Sequence, residues 1–198
     1  MNKNRLEAFS DGVLAIIITI MILEIKVPEG VNFSDLLPLF PKFISYVLSF
    51  VYVGIYWNNH HHMLQSVTKV NGKILWANLH LLFWLSLIPV STGWMGEHNF
   101  AKATITLYGV ILFFAAVAFW FLQNIIISTE GENSVLAKAL GKNFKGKISN
   151  LLYLSAIGIS FFYEIVAASI YVIVAIIWLV PDKRIEKVIN SNELNSYK

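Results

Sequence analysis

The chain has 198 residues, of which 57% are hydrophobic and only 14% are charged, and its mean hydropathy is +0.63. A soluble domain of this length needs a more highly charged surface, so the composition indicates an integral membrane protein surrounded by lipid. The absence of cysteine excludes disulfides, thiolate nucleophiles and thiolate metal sites. We attribute the net charge of +3 to basic membrane loops, and we expect no nucleic-acid partner.

Six stretches are apolar enough to be transmembrane helices, at about 20 residues per crossing. In chain order they are residues 5–25, 42–66, 73–93, 101–124, 146–163 and 165–181. The last two form one apolar run, Ile148 to Val180, which as a single helix would measure roughly 50 Å and exceed one crossing. Basic residues flank both ends of this run, so we interpret it as a hairpin turning at Glu164, with a single span as the alternative.

The fold class that follows is an all-α membrane domain over residues 1–181 and a polar cytoplasmic tail over 182–198. With the N-terminus inside, 12 of the 15 lysines and arginines fall on the cytoplasmic side. The remaining 3 are Lys26, Lys42 and Lys102. This bias predicts a multi-pass protein whose two termini are both cytoplasmic. The outer-loop sequence "SDLL" and the inner-loop sequence "STEGENSVLAKALGKNFKGK" each indicate a short additional helix.

Polar side chains of three predicted spans lie at one depth near the cytoplasmic side. Arg5 and Asp11 are in the first span, "NNHHHM" with three histidines is in the second, and Asn78 and His80 are in the third. Ionisable groups inside a membrane are costly unless they are paired, so this layer has a structural or a functional role. The structural interpretation is helix packing; the functional alternatives are gating or proton sensing.

A metal site is the third interpretation of this layer. Adjacent helical residues point about 100° apart, so His60, His61 and His62 cannot converge on one ion. Only His61 together with His80 and Asp11 offers a ligand set, and it requires favourable packing. We therefore predict no metal site.

Above Asp11, the first span contains a regularly spaced face of Ile16, Thr19, Ile20 and Leu23. The spacing i, i+3, i+4, i+7 places these residues on one side of a helix. Such a stripe either faces lipid or packs against protein, or it lines a pore. In a pore, symmetric subunits would form apolar rings that close by dewetting, and a threonine ring whose hydroxyls meet a partly hydrated cation.

Several transport devices are missing from the sequence. No span carries a regular series of arginines or lysines, and no "TVGYG" filter lies between two spans. No glycine-rich phosphate-binding loop is present. Neither an ATP-driven pump nor an enzyme is expected.

The motif Arg5-x-x-x-Phe9-Ser10-Asp11 at the start of the first span resembles the signature of the transmembrane protein 175 family. This is the endosomal and lysosomal potassium channel family of animals, with shorter bacterial relatives. Animal members carry two six-span repeats and this chain carries one, so it resembles a bacterial member in the plasma membrane.

The resemblance implies a homotetramer in the lipid bilayer, in which the first span of each subunit lines a central pore. It implies a hydrophobic gate at Ile16 and Leu23, with Ile20 on the same face. A threonine layer at Thr19 completes this face, and permeant potassium is expected near Thr19 and Leu23. No cofactor is expected. The implied polar network consists of the signature residues with a Trp and a His of the second span: Arg5, Phe9, Ser10, Asp11, Trp57 and His61, with His60 or His62 as alternatives to His61.

The function predicted from these features is a passive, potassium-preferring channel for monovalent cations. The alternative is a proton-coupled secondary transporter that uses Asp11 and the histidines as its relay. Transporters usually show internal repeats and broken helices, and neither is visible here. An intramembrane enzyme built on the same residues is disfavoured, because Glu164 lies at the opposite membrane face.

Overall fold

The computed structural model describes residues 2–140 and 144–179, and all regular structure within them is helical. The expected all-α class is therefore confirmed. The helices are α1 (Lys3–Leu23), a 3-10 helix (Phe33–Leu39), α2 (Phe40–Gln65), α3 (Gly72–Ser86), α4 (Ile88–Glu97), α5 (Lys102–Glu130), α6 (Val135–Leu140), α7 (Phe144–Ser160) and α8 (Glu164–Leu179).

Local capping explains where the first two long helices start. The Asn2 side chain accepts a hydrogen bond from the Asn4 N–H at 3.3 Å and so caps the N-terminus of α1. The "SDLL" segment forms the 3-10 helix, where the Asn32 N–H donates to Asp35 Oδ2 at 2.9 Å. Pro41 occupies the first turn of α2, where its missing N–H costs nothing.

The predicted third span, 73–93, is two helices rather than one. α3 ends at Ser86 and α4 begins at Ile88, one residue before Pro89. Proline offers no N–H to the carbonyl four residues earlier, so the helix breaks there. Together the two helices run from Gly72 to Glu97 and remain long enough to cross a bilayer.

α5 extends to Glu130, beyond the predicted end at residue 124. Gly131 follows it with a φ of 94°, a conformation that glycine adopts at little cost, and its N–H donates to the Ile127 carbonyl at 2.8 Å. The inner loop then forms the short helix α6, which carries Lys138.

The last apolar run is divided into two helices by a turn at residues 161–163. They pack as a hairpin, because Trp178 Nε1 near the end of α8 donates to Ser149 Oγ near the start of α7 at 2.7 Å. Within the described ranges, four helical stretches are long and apolar enough to cross a membrane: Lys3–Leu23, Phe33–Gln65, Gly72–Glu97 and Lys102–Glu130. The crossings by α7 and α8 stay a prediction, and the predicted tail, 182–198, lies outside the described residues.

Buried hydroxyl groups connect the helices at the centre of the bundle. Tyr52 of α2 donates to the carbonyl of Tyr171 in α8 at 2.6 Å. Ser49 of α2 lies 2.6 Å from the Thr92 hydroxyl of α4 and 3.0 Å from the Tyr108 hydroxyl of α5. Each of these polar groups therefore has a partner, as a water-free interior requires. This core leaves α1 at the side of the bundle, packed against α2, α3 and α4.

Candidate pore helix and its polar anchor

α1 has one face in the bundle and one face outside it. Its apolar residues on the inner face are almost completely buried: Leu6, Leu14, Ile17 and Met21. On the opposite face the side chains of Ile16, Ile20 and Leu23 are 60%, 44% and 74% exposed, and Thr19 is exposed with them. The four residues of the predicted pore face thus lie together on the free side of α1, where lipid, another subunit or a pore can meet them.

Thr19 is exposed on this face and carries its only hydroxyl group. Its hydroxyl proton is already used, because Oγ1 donates to the Ala15 carbonyl of the same helix at 2.9 Å. The hydroxyl oxygen therefore remains available as an acceptor or as a cation ligand. The sequence alone does not show whether the Thr19 hydroxyl bonds to its own helix or points away from it.

A buried chain of three polar side chains ties the base of α1 to α2 and α3. Asn78 Nδ2 donates to Ser10 Oγ at 3.0 Å, and Asn78 Oδ1 lies 2.6 Å from His60 Nε2. Since the amide oxygen can only accept, His60 carries its proton on Nε2. Ser10 in turn donates to the Leu6 carbonyl at 2.9 Å. All three side chains are buried, so this chain is a specific link across three helices.

A second polar arm lies beside this chain, at the surface of the single subunit. Trp57 Nε1 donates to Asp11 Oδ1 at 3.0 Å. The His61 ring stacks on Trp57, with centroids 6.3 Å apart and planes inclined by 22°, and its Nε2 lies 3.0 Å from Gln65 Nε2. His61 therefore meets Asp11 only through the indole of Trp57.

The structure separates the three candidate histidines. His60 joins the buried chain, while His61 stacks on Trp57 and lies beside His62, with ring centroids 5.7 Å apart. His60 follows buried Tyr56 by one helical turn and precedes buried Leu64 by another. That apolar spacing is the signal by which sequence reasoning would select His60 as the inward-facing histidine.

Two signature residues are not brought into this network within one chain. Arg5 and Phe9 are exposed and continue the face of Ile16 and Leu23 toward the start of α1. The Arg5 N–H donates to the Asn2 carbonyl at 3.1 Å, but the guanidinium makes no hydrogen bond or ion pair to any residue that the structure describes. The exposed guanidinium is therefore accessible to water, lipid headgroups or another subunit.

The third interpretation of the layer, a metal site, needs His61, His80 and Asp11 to converge. Within residues 2–140 and 144–179, no three His, Asp or Glu side chains come together. His80 instead accepts a hydrogen bond from Trp84 Nε1 at 3.0 Å and packs edge-on against Phe121.

Comparison with known proteins gives these residues their context. The family model described as endosomal/lysosomal potassium channel TMEM175 matches residues 5–89. This range contains the buried chain of Ser10, Asn78 and His60 and the polar arm of Asp11 and Trp57 beside it. A protein named as a potassium channel of Chryseobacterium sp. (strain P1-3) is 58% identical over 192 residues, covering 97% of this chain and 100% of its own. The chain belongs to the TMEM175 family. The resemblance carried by Arg5, Phe9, Ser10 and Asp11 is therefore confirmed.

A solved structure and a vertebrate relative extend this assignment. The crystal structure of a lysosomal potassium-selective channel TMEM175 homolog from Chamaesiphon minutus superposes with a TM-score of 0.80 at 28% identity, covering 91% of this chain and 97% of that one. A protein of Gallus gallus named as an endosomal/lysosomal proton channel TMEM175 is 33% identical over 134 residues, which are 59% of this chain and 26% of the relative. With the apolar helices, the family identifies an integral membrane protein.

The buried chain leads to a prediction about Asn78. Asn78→Leu keeps nearly the same volume but leaves Ser10 and His60 without their buried partner, which costs about 1–3 kcal/mol of stability. Thermal unfolding of the purified protein in detergent measures this loss. The control is Asn124→Leu, because Asn124 is exposed and, among the described residues, its side chain donates only to the Trp120 carbonyl of its own helix. Equal stability of the two variants would contradict an anchoring role for the chain.

Proposed function

We propose that this protein is a passive, potassium-preferring cation channel of the bacterial plasma membrane. Four subunits surround a central pore, and α1 of each subunit lines it. The potassium-channel name of the Chryseobacterium relative and the potassium-selective title of the Chamaesiphon structure support this proposal. The charge bias of the loops supports a multi-pass topology with both termini in the cytoplasm.

The observation that carries the proposal is the mixed chemistry of the exposed face of α1. A face that meets only lipid is expected to be uniformly apolar, since polar groups in hydrocarbon are costly. This face combines aliphatic side chains with the Thr19 hydroxyl, and Arg5 lies at its base. Those features suit a face that meets water, ions and neighbouring copies of α1.

The proposed roles follow from side-chain chemistry and position. Rings of Ile16 and Leu23 close the pore by dewetting, and Ile20 supports the same apolar surface. A ring of Thr19 oxygens, with lone pairs free, replaces part of the hydration shell of a passing cation. Because a few hydroxyls replace less of the hydration shell than a carbonyl filter does, we expect only modest selectivity over sodium.

The test is a bilayer recording with potassium on one side and sodium on the other. We expect a reversal potential displaced toward the potassium equilibrium potential. Ile16→Asn wets the constriction, and a barrier lower by about 1.4 kcal/mol raises the current about tenfold. Ile22→Asn is the matched control, because Ile22 is exposed on α1 but lies off the pore face. Equal currents in both variants would contradict the lining assignment.

A proton-coupled transporter is the second candidate, favoured by the titratable side chains of Asp11 and His60 in the two adjoining polar groups of residues. The proton-channel name of the vertebrate relative indicates proton movement in that protein, without coupling. In a coupled transporter Asp11 must gain and lose a proton. Asp11→Asn keeps an oxygen that accepts from Trp57 but cannot be protonated, whereas Asp11→Leu removes the acceptor. We expect Asp11→Asn to retain potassium current and Asp11→Leu to lower the yield of folded protein. Loss of all flux in well-folded Asp11→Asn would favour the relay.

A further inference from the structure

A cavity of about 50 Å³ lies between α2, α5, α7 and α8, and no residue of α1 lines it. Its walls are largely aromatic, with Tyr56, Phe119, Tyr153 and Trp178 among the lining side chains. We call it the α7 cavity, because it also contains Ser149 and Asn150 of α7. Apolar walls with a few polar groups are typical of small-molecule and lipid sites.

One polar atom in the α7 cavity is buried and without a partner. Asn150 Oδ1 makes no hydrogen bond to any residue that the structure describes. Its neighbours are occupied: Ser149 Oγ donates to the Lys145 carbonyl at 2.9 Å and accepts from Trp178 Nε1 at 2.7 Å. A buried amide oxygen is unfavourable without a donor, so the cavity is suited to a ligand that carries an O–H or N–H group.

Positively charged side chains lie around the α7 cavity, which favours a ligand with a negative charge. The Lys145 ammonium lies 5.3 Å from the centroid of the Trp178 ring, which forms part of the cavity wall. Lys147 and Lys138 are exposed at the same end of the bundle. In the proposed orientation this end meets the cytoplasmic leaflet, where basic residues attract anionic lipid headgroups.

We propose that the α7 cavity binds the hydroxyl-bearing headgroup of an anionic phospholipid. A headgroup hydroxyl donates to Asn150 Oδ1, and the phosphate lies near Lys145. A cavity needs about 10–15 Å³ to hold one water molecule. The α7 cavity, at about 50 Å³, therefore has room for the short polyol end of a headgroup but not for a whole lipid. The acyl chains remain outside, against the membrane-facing surface of the bundle.

This inference rests on the proposed membrane orientation but not on ion conduction. Its test therefore measures lipid binding, so that a failure of the channel proposal and a failure of this one are distinguishable. Free glycerol phosphate offers the same hydroxyl and phosphate as a glycerol headgroup. The experiment accordingly includes it as a soluble arm.

The experiment is a thermal-shift and native mass spectrometry titration of the full chain in detergent with phosphatidylglycerol, phosphatidylcholine or glycerol 3-phosphate. We expect phosphatidylglycerol alone to raise the melting temperature and to bind at one lipid per protomer. Asn150→Leu should fold at least as well as the wild type without lipid, because it removes an unpaired polar atom. Its apparent dissociation constant for phosphatidylglycerol should be about tenfold larger than that of the wild type, as expected for one lost hydrogen bond.

A second pair of variants keeps the test decisive if Asn150→Leu folds poorly. Lys145→Gln should weaken phosphatidylglycerol binding, because the Lys145 ammonium lies over the Trp178 ring of the cavity wall. Lys138→Gln should leave binding unchanged, because Lys138 is on α6, which contributes no residue to the cavity lining. Equal binding by wild type, Asn150→Leu and Lys145→Gln would overturn the proposal. So would equal binding of phosphatidylcholine, a shift produced by glycerol 3-phosphate alone, or no lipid bound at all, which would leave only water in the cavity.

Discussion

The hydrogen-bonded chain from Ser10 through Asn78 to His60 is the interaction on which the position of α1 depends. A bilayer offers no water to satisfy a buried amide or imidazole, so the three groups have to find one another. Their bonds bring one point on each of three helices into register. Apolar packing along the inner face of α1 adds contact area but less specificity, because aliphatic side chains tolerate small shifts.

Once α1 is anchored in this way, its opposite face is determined by helical geometry. Ser10 and Ile17 point into the bundle, so Ile16 and Leu23 must point out of it. The same geometry places Arg5 and Phe9 on the outward side, although they belong to the signature at the base of the helix. The signature thus contains two classes of residue: Ser10 and Asp11 act within the subunit, and Arg5 and Phe9 face its surroundings.

Much of this arrangement was accessible from sequence, because long apolar runs and helical spacing report directly on helices in a membrane. Two features could be predicted in this way: the outward face of α1, and the shared depth of the polar residues of the first three spans. The break before Pro89 was missed because membrane helices often tolerate proline when neighbours satisfy the freed carbonyl. The spacing of buried Tyr56, His60 and Leu64 indicates which of the three adjacent histidines faces inward. The partner of His60 is Asn78, 18 residues away, and no local pattern encodes that contact.

The central claim is that the outward face of α1 lines the ion pathway. The chain has no cysteine, so a single introduced thiol is the only target for a thiol-specific reagent. The most direct measurement is the effect of a cationic methanethiosulfonate reagent, added from the extracellular side, on currents of Leu23→Cys and Ile22→Cys proteins. These neighbours are both exposed but point about 100° apart. The account predicts block of the Leu23→Cys current alone; an unaffected Leu23→Cys current, or block of the Ile22→Cys current, would contradict it.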